Sequence, residues 1–313
     1  MTESRFDGRV AVVTGAGRGL GRAYALLLSS RGAKVVVNDL GGSITGDGRD
    51  VGPAEAVVRD IQAAGGDAVA SVESVGTQEG GKAIIQSALD HYGRIDVLIH
   101  NAGNVRYGSL AEISQEDFKA VVDVHLMGAF HLVQAAFPHM SKAGYGRIVL
   151  TSSIGGLYSI PNGVAYAVSK SGMIGLNNVI ALEGAAHNIK SNIILPGAVT
   201  RMAEGLDISQ YPPMGADLVA PVVGWLAHES CSVTGELYSS MAGRVARALV
   251  AETEGVYRPS WSIETVAEQI DDIRDPGLLP DKLWMLPPVP SGFGEHLRRS
   301  FDMARKDVAK SEV

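Results

Sequence analysis

The chain has 313 residues, of which 46% are hydrophobic, 19% are charged and 38 are glycine. This length allows one large domain with a full-sized core, and the composition is that of an ordinary α/β protein. The net charge of −7, without a long basic run, argues against nucleic acid or an anionic membrane as a partner.

The compartment is suggested by three features. The first residues lack an apolar signal region, and no apolar run approaches the ~18 residues of a membrane span. The single cysteine, Cys231, cannot form an internal disulfide and is expected to be a small buried residue. The last three residues are not a Ser-Lys-Leu peroxisomal address. We therefore expect a cytoplasmic protein without a membrane span or a metal site.

Short apolar runs alternate with helical patterns, which is typical of a parallel sheet with helices on both faces. Strands are predicted at 10–13, 34–37, 68–72, 95–99, 147–151, 191–195 and 235–238. Helices are predicted at 20–31, 54–64, 79–92, 114–140 and 164–187. The pattern predicts a single Rossmann-type doubly wound α/β domain with a mostly parallel seven-stranded sheet.

Two segments depart from this alternation. Residues 41–52 form a glycine-rich loop that is longer than a βα connection needs, so it is either mobile or functional. The tail has another composition, with helical patterns at 246–254 and 263–274 and an extended Pro-rich run at 287–290. We predict a catalytic domain at 1–241 and a helical extension at 242–313 that packs on the same domain or on a neighbouring subunit.

A glycine run, Thr-Gly-Ala-Gly-Arg-Gly-Leu-Gly at 14–21, follows the first strand and opens the first helix. In this context, Gly15, Gly19 and Gly21 permit a tight turn, and a pyrophosphate binds at the helix N-terminus. Asp39 ends the second strand, where a carboxylate accepts hydrogen bonds from ribose hydroxyls and repels a 2′-phosphate. Arg18 argues for NADP instead, but the position of Asp39 favours NAD.

Tyr166 and Lys170 are four residues apart on a predicted helix, so they share one face. A phenol ionises near pH 10, roughly, and a nearby cation favours its anion. Tyr166 can then exchange a proton with an alcohol or a carbonyl, and Ser153 can hydrogen-bond the same oxygen. The Tyr166–Lys170 spacing alone is weak evidence for catalysis. Together with Ser153 and the glycine run, it predicts hydride transfer at a carbinol carbon.

These motifs resemble the short-chain dehydrogenase/reductase superfamily. The resemblance covers most of residues 8–240, and the motifs follow the family's order: the glycine run, Asn101-Ala102-Gly103, Ser153, Tyr166, Lys170 and Pro196-Gly197. Within the superfamily, the stretches 5–10, 21–26, 36–42 and 225–231 are most similar to the (3R)-hydroxyacyl-CoA dehydrogenase unit of peroxisomal multifunctional enzyme type 2.

The resemblance implies specific roles. Ser153 would orient the substrate oxygen, Tyr166 would be the acid/base, and Lys170 would hold the nicotinamide ribose and lower the tyrosine pKa. The implied cofactor contacts are Gly15, Arg18, Gly19, Leu20, Gly21, Asp39, Glu73, Ser74, Asn101, Ala102, Gly103, Tyr166, Lys170, Pro196, Gly197, Val199 and Thr200. His125 stands where most of the family has an Asn that holds a proton-relay water; it either binds that water or only fills the helix interface.

We therefore expect an NAD-dependent oxidoreductase that acts on a 3-hydroxyacyl-CoA, with a steroid-derived acyl group as one option. The alternatives are a hydroxysteroid dehydrogenase, an NADPH-dependent 3-oxoacyl reductase and, outside enzymes, an NAD-sensing binding protein. The intact Ser153, Tyr166 and Lys170 argue against a sensor. The family pairs helices 114–140 and 164–187 across a two-fold axis, so we expect a dimer or a tetramer.

Overall fold

The computed structural model describes residues 3–200, 211–250 and 260–275, and the single positions 256, 258, 294, 297, 298, 301, 302 and 305. Its strands are β1 (Val10–Thr14), β2 (Lys34–Asn38), β3 (Asp67–Ser71), β4 (Val97–His100), β5 (Gly146–Thr151), β6 (Ile189–Gly197), β7 (Leu237–Met241) and β8 (Arg244–Ala248). Its α-helices are α1 (Gly19–Ser30), α2 (Gly52–Ala63), α3 (Gln78–Tyr92), α4 (Gln115–Val122), α5 (Gly128–Ala143), α6 (Val164–Gly184), α7 (Ala220–Ala227), α8 (Ile263–Glu268) and α9 (Ile270–Arg274).

The eight strands form one sheet in the order β3-β2-β1-β4-β5-β6-β7-β8. The first seven strands in that order run parallel, and β8 is antiparallel to β7. The strand order reverses between β1 and β4. In doubly wound sheets, ligands bind at the carboxyl ends of the strands beside this reversal. Thr14 and His100, which end β1 and β4, therefore mark the expected site.

The sheet is covered on both faces, which is why its central strands are apolar along their whole length. All residues of β1 and β5 are buried. One core contains Ile84 from α3, Leu132 from α5 and Met173 from α6. The opposite core contains Leu28 from α1 and Leu226 from α7. The predicted doubly wound architecture is confirmed, and Cys231 is buried as expected.

The predicted helix at 246–254 is wrong where the structure describes it. Ala242 and Gly243 have φ angles of 49° and 78°, and such a pair of positive φ angles builds a two-residue hairpin turn. The chain then returns as β8 beside β7, so the sheet has an eighth strand and extends past residue 241. The helical pattern at 263–274 is confirmed by α8 and α9. Residues 251–254 and 287–290 lie outside the described residues.

One helical stretch, Gln115–Ala143, is long and apolar enough by composition to cross a membrane, contrary to the expectation from the sequence. It comprises α4, a π-helical turn at Asp123–Met127 and α5. These elements pack against α3, α6 and the sheet. A core helix of a globular domain passes the same test, so this stretch is weak support for a membrane span.

Candidate active site

A cleft of about 460 Å³ opens at the carboxyl ends of the central strands. The predicted site residues that line it are Gly15, Arg18, Gly19, Leu20, Asp39, Glu73, Ser74, Asn101, Ala102, Gly103, His125, Ser153, Tyr166, Lys170, Pro196, Gly197 and Thr200. Two predicted contacts are not part of this lining. Gly21 is buried behind the glycine turn, and Val199 donates its N–H to the carbonyl of Met214 at 2.8 Å.

The glycine turn fits the pyrophosphate of a nicotinamide dinucleotide. Gly15 and Gly19 have φ angles of 62° and 53°, which side chains disfavour. A Cβ at Gly21 would lie 2.2 Å from the carbonyl oxygen of Gly15, so the turn could not close over a larger residue. Helix α1 begins without a side-chain cap at Arg18 and without an acidic residue in its first turn. Its first N–H groups are therefore available to an anion.

The end of β4 is fastened to the glycine turn through Thr14. The Thr14 hydroxyl accepts the N–H groups of Asn101 at 3.1 Å and Ala102 at 3.2 Å. The Asn101 amide donates to the carbonyls of Thr14 and Gly15 at 3.2 and 3.1 Å. The walls of the cleft on either side of the strand reversal are thus held at a fixed separation.

Asp39 and Arg18 meet different environments. The Asp39 carboxylate accepts the N–H of Gly17 at 2.8 Å and of Gly41 at 2.7 Å. Each of its oxygens keeps a lone pair for a further donor. One guanidinium nitrogen of Arg18 is buried and has no hydrogen-bond partner among the described residues. A carboxylate suited to hydroxyl donors and an unpaired cation suited to an anion therefore line the same cleft.

Ser153, Tyr166 and Lys170 come together at the ends of β5 and the start of α6. The Ser153 hydroxyl hydrogen-bonds the Tyr166 phenol. The Lys170 ammonium donates to the carbonyl of Thr151 at 2.5 Å and lies 5.5 Å from the centre of the Tyr166 ring. Lys170 is 3% exposed, and burial lowers its pKa to about 7.

The expected lowering of the Tyr166 pKa is not found in this arrangement. Burial raises the pKa of the phenol, and the opposing hydrogen bond from Ser153 does not compensate for it. Lys170 has little effect on the pKa of Tyr166, because its ammonium is directed to the Thr151 carbonyl and its own pKa lies near neutrality. Tyr166 therefore keeps its proton at neutral pH.

His125 lies on the π-helical turn, a rare geometry that is frequent at functional sites. Its Nε2 is 2.7 Å from the carbonyl oxygen of Asn104 and 3.1 Å from the Asn104 nitrogen. One nitrogen cannot donate and accept at once, and the shorter contact requires Nε2–H as the donor. The buried Nδ1 is then an acceptor without a partner among the described residues. Its ring meets Tyr166 edge-on, with centroids 5.3 Å apart.

Several residues that line the cleft were not identified from the sequence. The glycine-rich loop contributes Gly42, Ser43, Ile44 and Gly46, and its unusual length was the signal for a role. The cleft is also lined by Tyr211 and Met214, which lie within 200–214, where the sequence predicts a wall of the substrate pocket, and by Met241 and Leu297, which follow no motif. Leu297 shows that the predicted extension reaches the cleft. Residues 201–210 lie outside the described residues.

The chain is similar to several known proteins. A family model described as short chain dehydrogenase matches residues 9–208. Peroxisomal multifunctional enzyme type 2 of Drosophila melanogaster is 48% identical over 86% of this chain, which spans only 45% of that relative. A putative short-chain type dehydrogenase/reductase of Mycobacterium tuberculosis is 41% identical, with 85% of this chain and 94% of the relative covered.

Among solved structures, a short chain dehydrogenase from Mycobacterium avium superposes with a TM-score of 0.76 at 36% identity. The superposition covers 89% of this chain and 98% of that one. The similarity therefore extends over most of this chain.

The buried Lys170 predicts a pH-dependent stability difference. Its pKa is about 7 in the folded chain and near 10.5 when unfolded, so the unfolded state binds more protons between these values. The cost of burying the charge is full below about pH 7 and disappears as the pH rises to 10.5. Lys170→Met should therefore be more stable than the wild type at pH 7, and the advantage should shrink by up to about 1.4 kcal/mol per pH unit.

Urea unfolding of both proteins across this pH range measures the difference, and Lys82→Met, at an exposed position on α3, is the matched control. A stability difference that stays constant with pH would contradict the prediction.

Proposed function

Because the chain belongs to the short-chain dehydrogenase family, we propose that it is an NAD-dependent oxidoreductase that interconverts a 3-hydroxyacyl-CoA and its ketone. The observation that carries the proposal is the Ser153–Tyr166 hydrogen bond beside the buried Lys170, in a cleft that also contains the glycine turn. A nucleotide-binding sensor needs the turn but has no use for a proton-exchanging group at the other end of the cleft.

The nicotinamide would supply or accept the hydride, and the chain's own residues would handle the proton. In ketone reduction, the neutral phenol of Tyr166 donates its proton to the carbonyl oxygen while Ser153 hydrogen-bonds that oxygen. In alcohol oxidation, the proton moves the other way, from the hydroxyl to the deprotonated Tyr166. Lys170, whose ammonium donates to the Thr151 carbonyl, would hold the nicotinamide ribose beside this phenol. The unpaired Nδ1 of His125 is an acceptor for a water that passes the proton onward.

The substrate class rests on the resemblance and on the relatives. Several of them are named multifunctional enzymes or hydratase-dehydrogenase-epimerases of peroxisomes, and this chain corresponds to one part of their length. The wall of Tyr211, Met214, Met241 and Leu297 is mostly apolar, as an acyl chain requires. Cofactor reduction measured with a panel of 3-hydroxyacyl-CoA thioesters and free steroids tests this assignment, and turnover of the steroids alone would contradict it.

An NADPH-dependent 3-oxoacyl reductase is the second candidate. The unpaired guanidinium nitrogen of Arg18 favours it, since a 2′-phosphate would supply the missing partner. A 3-oxoacyl-[acyl-carrier-protein] reductase of Synechocystis is 35% identical, with 97% of its length covered. Asp39 opposes this candidate because its carboxylate lines the same cleft.

Tyr166→Phe should bind NADH as the wild type does and lose most turnover. The variant lacks only the hydroxyl that exchanges the proton, and such groups contribute about 10²–10⁴-fold. Tyr92→Phe, which removes a hydroxyl bonded to Asp67 outside the cleft, is the matched control. Steady-state rates and NADH fluorescence titrations give both quantities, and near-normal turnover of Tyr166→Phe would remove this residue from the mechanism.

Asp39→Ser should narrow the preference for NAD over NADP. Hydrogen bonds to a charged group and the repulsion of a phosphate together favour NAD by about one to three orders of magnitude. The variant should gain NADP use and lose part of its NAD affinity, because Asp39 also holds the N–H groups of Gly17 and Gly41. Asp39→Asn, which keeps an acceptor oxygen, separates these two effects. A wild type that prefers NADP in kinetic assays would show that Arg18 determines the choice.

We propose self-association through α6. Val168, Val179 and Leu182 are 46%, 49% and 77% exposed along one face of this helix, and a Cβ at Gly175 would contact nothing within 4 Å. The small residue between apolar ones permits close approach of a second helix. Leu182→Glu should therefore lower the mass in light scattering from a dimer to a monomer. Leu110→Glu, at a loop position that is 82% exposed, should leave the mass unchanged. A monomeric wild type at micromolar concentration would refute the proposal.

A further inference from the structure

The glycine-rich segment 41–50 between β2 and α2 forms part of the wall of the cleft. Gly42, Ser43, Ile44 and Gly46 line the cleft together with Asp39 and Asn104. The carbonyl of Ile44 accepts the N–H of Val105 at 3.0 Å, so the segment reaches across to the chain that follows β4. A cofactor in the cleft would therefore lie against this loop.

The tip of the loop is a hydrogen-bonded unit. The N–H of Ser43 donates to the carbonyl of Asp47 at 2.8 Å, and the N–H of Gly46 donates to that of Ser43 at 3.1 Å. The Thr45 hydroxyl donates to the Asp47 carboxylate at 2.7 Å. Because these bonds are internal to the tip, residues 43–47 can move as one unit. Movement away from the cleft would break the Val105–Ile44 backbone hydrogen bond but not these internal bonds.

Arg106 fastens this tip to the rest of the domain. Its guanidinium donates to the carbonyl of Thr45 at 3.1 Å, to the carboxylate of Asp47 at 2.9 Å and to that of Asp117 at 2.8 Å. Asp117 is itself held by the capping residue Ser114, whose hydroxyl accepts the Asp117 N–H at 3.0 Å. Asp117, which holds the Arg106 guanidinium, therefore belongs to helix α4. The π-helical turn that carries His125 continues from that helix.

The fastening can open. The Arg106 side chain is 21% exposed, but the Asp47 side chain is 68% exposed, so water can replace its carboxylate on the guanidinium. Hydrogen bonding to Asp117 raises the pKa of Arg106, and the same bond lowers the pKa of Asp117. The Arg106–Asp117 pair therefore stays charged at neutral pH. The Asp117 side chain is 41% exposed and that of Asp47 is 68% exposed, so the contact to the loop tip is the one more open to water.

We propose that Arg106 is a positioning residue that latches the 41–50 loop over the cofactor cleft, and that opening of this latch limits the release of the nicotinamide cofactor. The inference rests on the proposed function to the extent that a nicotinamide dinucleotide must bind in the cleft. Loops that close over ligands commonly set the rate of product release. The two carboxylate contacts that Arg106 makes give its planar fork a role that a lysine cannot reproduce.

The test uses whichever of NADH and NADPH the wild type binds more tightly. Stopped-flow displacement measures the dissociation rate, and amide hydrogen exchange measures the opening of residues 42–48. Arg106→Met should raise the dissociation rate and the Kd by about tenfold and accelerate exchange in the loop. Arg106→Lys should be intermediate, and Asp47→Asn should shift both quantities in the same direction. Arg22→Met, which breaks an exposed ion pair with Asp60, is the matched control.

The outcomes separate the possibilities. Wild-type rates and loop exchange in both Arg106→Met and Asp47→Asn would overturn the latch. Arg106→Met could also bind the cofactor more weakly and show faster exchange across the whole sheet, while Asp47→Asn has no effect. That result would assign Arg106 a folding role and would also overturn the latch. A wild type that binds neither cofactor would instead refute the proposed function.

Discussion

The hydroxyl of Thr14 joins the two halves of the cleft, and the rest of the site depends on this junction. It accepts two N–H groups from the segment after β4, so its single proton is free to bond Nδ1 of His100 at 3.1 Å. Nε2 of His100 then carries the hydrogen and donates to the carbonyl of His125 at 3.0 Å. One side chain therefore links the glycine turn, the end of β4 and the π-helical turn at the strand reversal.

The charged side chains of the cleft differ along its length. Asp39 at the end of β2 suits the hydroxyl donors of a ribose, and Arg18 lines the cleft as well. Glu73 after β3 is paired with Arg49 at 3.1 Å. The other end contains Lys170 and His125, with His100 behind them. Burial and the neighbouring Lys170 lower the pKa of His100 to about 3, and burial lowers the pKa of Lys170 to about 7. Burial and Lys170 also lower the pKa of His125 well below its usual value, so both histidines are neutral at pH 7.

The sequence predicted those parts of the site that local chemistry determines. The glycine turn, Asp39 and the Tyr166–Lys170 pair each follow from a strand end or a helix spacing. Contacts between distant segments were not predictable: Arg106 meets a loop about sixty residues earlier and carries no motif. The sequence predicts a helix at β8 because its short apolar–polar run is compatible with the periods of both a helix and a strand. The hairpin turn before it makes the segment a strand.

The same hairpin restricts how the chain can associate. β8 occupies the hydrogen-bonding edge of β7, which would otherwise be the end of the sheet. The new edge is short and carries Arg244 and Arg247, and charges on an edge strand oppose pairing with another sheet. Arg247 is also paired with Glu236 at 3.1 Å, which holds it beside the sheet. These charges oppose strand addition at this edge, which is consistent with the self-association through α6 that we propose.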